Sequence, residues 1–574
     1  MITRQNEEEF GDLKDLIKVI PENCVGCNAC IRSCPTNEAN ITTMKPDGSF
    51  VTVVNPDKCI NCGECIRTCK HGARDYIDDT YEFMANIKKT PMALLVTPAI
   101  KSVFPTTWQS ILVWFKQHGV KLYDVSFGAD ICSWAHLRAI EKGLVGNIIT
   151  QPCAAIVNYV QIYKPNLIQF LSPVHSPISC ESIYLRKVLK LDCQFAVLSP
   201  CIAKKSEFDT IGIIDYNVTF KKLKEYFEKV GITHKPNSAL DFEFDFDDQQ
   251  GLVGSIYPRP GGLRDNLWLH NPDLNITTSE GVHKVYPEID MYGEMPDFKH
   301  PEVFDVLSCE FGCNTGPATG TEQTIFDIMA TMRDVEKFSK KKRKTGLFNA
   351  GADKQYKKFD DTLNLEDYMR KYAVSDAYSS VVKVSMLDDV FKSMGKVTEA
   401  QRHFDCHACG YKSCVEMATA IYRGNNVPDN CIVHAKAMLK EQHDKLISDH
   451  DKLTKLVVKA NEISEKLLKD IEKIGGDIKT INGVNLKTGE KSQKVHGLLE
   501  KIIMFCSTTP EMDRASVQQL IDILEIVAVA FKALDSNVTE TNERSNSITE
   551  SIAQVDKLID DLNQILNETS NVSH

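Results

Sequence analysis

Twelve of the 20 cysteines fall in three tight groups, and no other feature constrains the fold of this 574-residue chain as strongly. Cys24-x2-Cys27-x2-Cys30-x3-Cys34-Pro35 is followed, 35 residues on, by Cys59-x2-Cys62-x2-Cys65-x3-Cys69. A 4Fe–4S cubane needs four thiolates, three from a turning loop and a distant fourth. In doubled runs of this kind the fourth cysteine of each run ligates the other cluster. The expected sets are therefore Cys24, Cys27, Cys30 and Cys69, and Cys59, Cys62, Cys65 and Cys34. The second run ends in Cys69-Lys70 where the first has Cys-Pro. Paired CxxC motifs also bind zinc, but the doubling favours cubanes and hence electron transfer. Gly26 and Gly63, beside ligand positions, fit loops whose amides turn toward sulfur.

Composition narrows the context. Lys and Arg total 67 against 78 Asp and Glu, a net charge of −11 that argues against nucleic acid as a partner. Hydrophobic residues make up 43% and charged residues 25%, an ordinary globular mix. At roughly 100–200 residues per domain the length allows about three to five domains. No apolar run of ~18 residues predicts a membrane span, and Met1–Phe10 is polar and acidic with no signal core. The expected location is the cytoplasm. Cysteines there are not expected to form disulfides, so their clustering points to metal or redox work.

Residues 85–385 read as mixed α/β. The β-type runs Met92–Ile100, Cys193–Cys201 and Phe304–Cys309 each end at or near a Pro or Cys. In open α/β sheets, sites gather just past strand C-termini. The basic run at 335–345 reads as a solvated loop or helix. A third set, Cys406-x2-Cys409-Gly410-x3-Cys414-x16-Cys431, follows Arg402, His403 and Phe404, and its spacing fits a cubane or zinc.

From residue 435 the chain has no Trp or Tyr and one proline, Pro510. Leu446, Leu453, Ala460, Leu467, Ile474 and Ile481 recur every seven residues. Val457, Ile471 and Ile478 form much of a second seam, interrupted by His450 and Ser464. Val538, Ile552, Ile559 and Leu566 form a later one with a gap at Ser545. Such seams ask for a partner helix. Pairing between chains is the favoured reading and an intramolecular bundle the alternative. Gly475-Gly476 and residues 484–491 are predicted to break the first helix.

Four more cysteines are spread through Gln151-Pro152-Cys153-Ala154-Ala155, Ser199-Pro200-Cys201-Ile202-Ala203-Lys204-Lys205-Ser206-Glu207 and Cys309-Glu310-Phe311-Gly312-Cys313. Alone, each is weak, because a lone buried Cys is usually a small core residue. Together they supply four thiolates at strand ends. The three segments resemble the three signature motifs of the iron-only hydrogenases: Pro200–Glu207 matches PCxAKKxE, and Cys309–Cys313 matches CxxGC. Val157–Pro165 and Thr97-Pro98-Ala99 also resemble stretches of that family, and the likeness covers residues 20–380. It implies that Cys153, Cys201, Cys309 and Cys313 hold the cubane of an H-cluster. Cys313 would bridge to a di-iron unit with carbonyl and cyanide ligands, which needs dedicated maturation. Lys204 would hydrogen-bond a cyanide. Ser172, Pro98 and Glu207 complete the implied catalytic set.

The departures are as informative. The family's proton-shuttling cysteine is here Pro152, and His136 and Ala139 stand where its proton path has glutamates. Ser199 and Leu307 replace methionines beside the cluster. Slow turnover is expected, because a proton route needs groups that titrate. The 406–431 set resembles the small iron–sulfur domain of some hydrogenase-like and corrinoid proteins. The whole is similar to a sensory branch of the iron-only hydrogenases. Cys132, Cys180, Cys193 and Cys506 read as buried structural thiols.

The expected protein is multidomain α+β. It has a two-cluster ferredoxin-like head (1–85), an α/β H-cluster domain (86–390), a four-cysteine iron–sulfur domain (391–434) and a helical, coiled-coil-like tail (435–574). The expected activity is slow, reversible interconversion of hydrogen with protons and electrons, used for sensing. Its cofactors would be three accessory 4Fe–4S clusters and an H-cluster. The expected partners are hydrogen and protons, a redox protein such as ferredoxin, a signalling protein and a second copy joined through the tail, with neither nucleic acid nor membrane. The competing reading is an iron–sulfur assembly or binding protein without a di-iron unit. The eight ferredoxin-type cysteines weigh against it.

Overall fold

The computed structural model describes residues 16–343, 351–378, 381–508 and 513–572. The expectations for Met1–Phe10, Pro510 and the end of the basic run lie outside them. Contacts divide the chain into two compact units, Met1–Ala435 and Lys436–His574.

The first unit begins with two small antiparallel ribbons. Strand β1 (Ile17–Val19) pairs with β4 (Arg74–Tyr76), and β2 (Asn40–Met44) pairs with β3 (Phe50–Val54). Thr42 and Thr52 stand opposite each other, buried, with hydroxyls 3.1 Å apart. The buried Arg74 guanidinium donates to Thr52 O at 2.8 Å, to Asn40 Oδ1 at 3.1 Å and to Cys30 Sγ at 3.3 Å. Gly63 takes a φ of +74°, and a Cβ there would lie 2.4 Å from Pro317 Cγ, so only glycine fits this loop.

Two parallel sheets follow. One has the order β6 (Lys121–Asp124), β5 (Met92–Val96), β8 (Gln194–Ser199), β9 (Tyr216–Thr219). The other runs β10 (Ile276–Glu280), β11 (Val303–Leu307), β7 (Ile148–Ile149). All five residues of β5 are buried, as in a sheet covered on both faces. Ala93 and Leu95 face one core, and Met92, Leu94 and Val96 the other, which is the period of two that a strand imposes. The three β-type runs of the sequence are β5, β8 and β11.

The Val125–Glu141 helix is capped by Asp124, whose side chain accepts from Ser126 N at 3.0 Å. Fourteen of its 17 residues are buried, so its polar residues must find partners inside. The basic run from 335 to 343 continues the Ile325–Arg343 helix, with Val335 and Ser339 buried.

The 403–433 segment docks on the ferredoxin-like head. Asn28 donates to Asn430 Oδ1 at 2.8 Å, Thr42 N donates to Asn425 O at 2.9 Å, and Arg423 pairs with Glu38. Ile31 of the head shares an apolar cluster with Phe391, Met417 and Ala418.

The second unit is built on two long antiparallel helices, Ile432–Thr508 and Arg514–Val572. The expected break at Gly475-Gly476 and 484–491 does not occur. Each glycine costs a helix about 1 kcal/mol, but packing against the second helix runs through this stretch. Ile463, Val484 and Val495 are buried there, as are Val527 and Ile565 on the other helix. Ala460, Leu467, Ile474 and Ile481, predicted to need a partner helix, are half-buried and find one within the chain. A polar layer sets the register: Arg544 donates to Asp477 at 3.0 Å, Ser547 to Asp477 at 3.1 Å and Asn537 to Thr488 Oγ1 at 3.0 Å. Val457, Ile471, Ile478, Val538, Ile552 and Ile559 stay 44–55% exposed. Among the described residues, no helix is long and apolar enough to cross a membrane.

Candidate functional site

The C-terminal ends of β5, β7, β8 and β11 open on one cavity. Cys153 follows β7, Cys201 follows β8, and Cys309 and Cys313 follow β11, so both sheets contribute thiols to one space. Pro98, Ala99, Pro152, Pro200 and Leu307 make much of the remaining wall apolar. Gly312 has a φ of +78°, and a Cβ there would meet Pro258 O at 2.2 Å. This bend lets Cys313 N donate to Pro258 O at 2.8 Å and turns Cys313 back beside Cys309.

Four converging thiols in a dry space resist ionisation. Burial and mutual repulsion push Cys201 up to about 11 and Cys313 up to about 12, and raise Cys309 well above its ordinary value. Such a set becomes tetrathiolate only around compensating positive charge, which the irons of a cluster supply. The donor chemistry therefore fits a cubane.

Lys204 opens the Lys204–Ile211 helix and lines the cavity. It is 6% exposed, so it is not a solvated surface lysine. It pairs with Glu207 and donates to Ser176 Oγ at 3.0 Å, while Ser179 donates to Glu207 at 2.5 Å. Burial alone raises the Glu207 carboxyl, but the Lys204 and Arg370 charges and the hydrogen bonds from Lys204 and Ser176 together outweigh it and hold the acid below its usual value.

Of the other expected residues, Pro98 and Pro152 line the cavity. Ser172 does not; it is fully buried, with Oγ 2.9 Å from His136 Nε2. Ser199 turns away and donates to Asn217 Oδ1 at 2.7 Å. Sequence reasoning missed Tyr257, which lines the cavity. Cys132 and Cys180 are buried as expected, and the sequence did not show that both donate to His175 O at 3.3 Å; Cys193 is half-buried and Cys506 exposed, against the expectation of buried thiols. The one signal toward Cys132 was His136, spaced i, i+4 on the same helix.

The accessory cysteines gather in three places. The charged neighbours of Cys62 are Cys34, Cys65 and Cys59, whereas those of Cys30 include Cys24 and Cys27. Cys62 packs with Cys153 and Cys201 around Ala154, Ala155 and Ala203. Cys406, Cys409, Cys414 and Cys431 line a second, smaller cavity. Cys30 packs against the apolar cluster that contains Cys409, Cys414 and Cys431. Cys27 and Cys406 are exposed. Among the described residues, no three His, Cys, Asp or Glu side chains are arranged to hold a single metal ion.

Comparison with known proteins finds matches to parts of the chain. Residues 90–286 match the family model described as the C-terminal domain of the iron-only hydrogenase large subunit. Residues 23–73 match a 4Fe-4S dicluster domain, and residues 403–433 an Fe-S cluster model. Among solved structures, a variant and an apo form of the FeFe-hydrogenase HydA1 from Chlamydomonas reinhardtii align at 14% and 13% identity. Each alignment covers 53% of this chain and 100% of the other, with a TM-score of 0.40. A structure on stepwise H-cluster assembly in HydA(deltaEFG) aligns at 14% identity over the same shares, with a TM-score of 0.39. No curated protein sequence matches.

Proposed function

We propose that this iron-only hydrogenase-like chain interconverts hydrogen with protons and electrons, slowly, and reports hydrogen or redox state. The observation that carries the reading is the convergence of Cys153, Cys201, Cys309, Cys313 and Lys204 on one apolar cavity. When bound there, an H-cluster supplies the irons that make or cleave the H–H bond. Cys153, Cys201, Cys309 and Cys313 would hold its cubane, and Cys313 would bridge to the di-iron unit. Lys204, fixed by Glu207 and Ser176, presents an ammonium donor to an anionic ligand. The proline-rich wall excludes water, which strengthens that contact. Pro152 brings no titratable group to the cavity, and that supports slow turnover.

The packing of the accessory cysteines supports a serial electron route. The Cys59 set, with Cys34, lies next to the cavity thiols, and the Cys24 set, with Cys69, comes next. The 406–431 set ends the series. The exposed Cys27 and Cys406 mark where a redox protein such as a ferredoxin would exchange electrons. The exposed apolar stripe on the paired tail helices supports a coiled-coil dimer that transmits a signal, in the cytoplasm where thiols stay reduced.

Infrared spectroscopy of the matured protein tests the reading. Carbonyl and cyanide bands are expected. Their absence would refute a di-iron site and favour an iron–sulfur assembly or binding protein.

A further inference from the structure

We propose that the buried Arg74 guanidinium raises the reduction potential of a cluster held by Cys24, Cys27, Cys30 and Cys69 more than that of one held by Cys59, Cys62, Cys65 and Cys34, and so draws electrons from the second set toward the first. The inference rests on the serial electron route proposed above.

Arg74 lies on β4, opposite Val19 of β1. Arg74 and Tyr76 point inward and are buried, while Asp75 between them faces the other way and pairs with Lys222 at 2.8 Å. The adjacent acid therefore does not neutralise the arginine. Among the described residues no carboxylate pairs with Arg74. Its Nη2 serves three acceptors, Thr52 O, Asn40 Oδ1 and Cys30 Sγ. Its Nη1 is buried with no acceptor. Buried Asn40 fixes the geometry from both sides, accepting from Arg74 and donating to Cys30 O at 3.3 Å. The β2–β3 ribbon thus aims the guanidinium at Cys30.

A structural role explains this poorly. Taking a guanidinium out of water costs free energy unless acceptors or an anion compensate. The chain supplies no carboxylate, and nothing for Nη1. What surrounds the charge is cysteine: it faces Cys30 of one set and Cys34 and Cys65 of the other. Clusters held by these cysteines bring anionic sulfur to the same place, so the orphaned donor fits them.

The two sets are not served equally. Cys30 receives both the charge and a hydrogen bond, whereas Cys34 and Cys65 receive the charge alone. Each added electron makes a cluster more negative. A nearby cation and an N–H donor to sulfur therefore favour the reduced form and raise the potential. Burial keeps the charge from being screened by water and salt. In the step that Arg74 favours, one electron leaves the Cys59 set and enters the Cys24 set, and no bond or proton moves. The electron then rests one step away from the cavity.

The test uses the full chain carrying only its cubanes. Arg74→Gln keeps a donor but loses the charge, and Arg74→Lys keeps the charge but loses the fork. Redox titration followed by electron paramagnetic resonance reads the midpoints, each set being identified by the signal lost in Cys24→Ala or Cys59→Ala. With iron content unchanged, Arg74→Gln should lower the Cys24-set midpoint by the equivalent of tenfold or more, about 59 mV for one electron. The Cys59-set midpoint should fall by less, and Arg74→Lys should lie between Arg74→Gln and the wild type. The shift should persist at high salt. Unchanged midpoints in Arg74→Gln, or a larger shift in the Cys59 set, would overturn the proposal. A second reading needs no variant. Reduced wild type labelled with nitrogen-15 in its guanidinium groups should show a weak nitrogen coupling in the Cys24-set signal, carried by the Arg74 bond to Cys30 sulfur. A signal without that coupling would overturn the proposal as well. None of these readings needs a di-iron unit, so missing carbonyl and cyanide bands would overturn the hydrogenase reading without touching them.

Discussion

Replacing Glu207 by glutamine strands a buried charge. The Lys204 and Glu207 side chains are 8% and 3% exposed, so the ammonium cannot turn to water for compensation. The glutamine carbonyl still accepts from Ser176 and Ser179, and Lys204 keeps Ser176 Oγ at 3.0 Å. The loss is therefore mostly electrostatic. Removing one partner of a buried pair costs about 3–5 kcal/mol. Unfolding entropy of ~2.1 cal/mol/K per residue over the roughly 435 residues of the first unit is ~0.9 kcal/mol/K, so ~4 kcal/mol lowers the melting point by roughly 4 °C. Anaerobic thermal melts followed by circular dichroism measure this. Lys204→Met combined with Glu207→Gln, which removes both charges, should recover most of the loss. A single Glu207→Gln variant that melts with the wild type would refute the argument, because Lys204 would then not depend on the carboxylate. The sign with pH is also fixed. The Glu207 acid lies below its ordinary 4.5 in the folded protein. Its stabilisation is present above that value and is lost as pH falls through the folded one, so the gap between wild type and variant should close in acid.

Four further outcomes are expected. Sixteen cysteines in four sets should bind about sixteen irons as cubanes, and Cys406→Ala should lose about four of them with the rest retained; unchanged iron would remove the 406–431 set from the cluster inventory. Pro152→Cys should raise hydrogen turnover, and wild-type rates already matching those of prototypical hydrogenases would refute a missing proton carrier. Sedimentation should find the full chain dimeric and a chain truncated after Lys436 monomeric, with its infrared bands intact; a truncated dimer would place the contact elsewhere. Ile471→Glu with Ile552→Glu should likewise give monomers of undiminished helicity, since both side chains are exposed on the paired helices.

What could be read ahead of the structure was local or motif-bound. The doubled Cys24 and Cys59 runs announce a two-cluster segment because their spacing suits cubanes, and residues 23–73 match a 4Fe-4S dicluster domain. The strands β5, β8 and β11 were legible because fully buried parallel strands read as short apolar runs. Lys204 came from its motif, and the structure buries it against Glu207, which the motif alone could not show. The docking of the 403–433 segment was not legible. It depends on Asn28 meeting Asn430 and Thr42 meeting Asn425, pairs that share no periodicity and lie hundreds of residues apart. The tail shows a different limit. A seven-residue seam says that a partner helix is needed but not which chain supplies it, because the same apolar face suits either. The polar pairs along the two helices, Asp477 with Arg544 and Thr488 with Asn537, carry no mark in that pattern; Asp477 follows the expected Gly475-Gly476 break and Thr488 lies in the expected break at 484–491. Cys132 illustrates the limit best. A single thiol on a buried helix face is by default a small core residue. Only the fold brings His175 O and Cys180 from one segment and Tyr257 from another to face it.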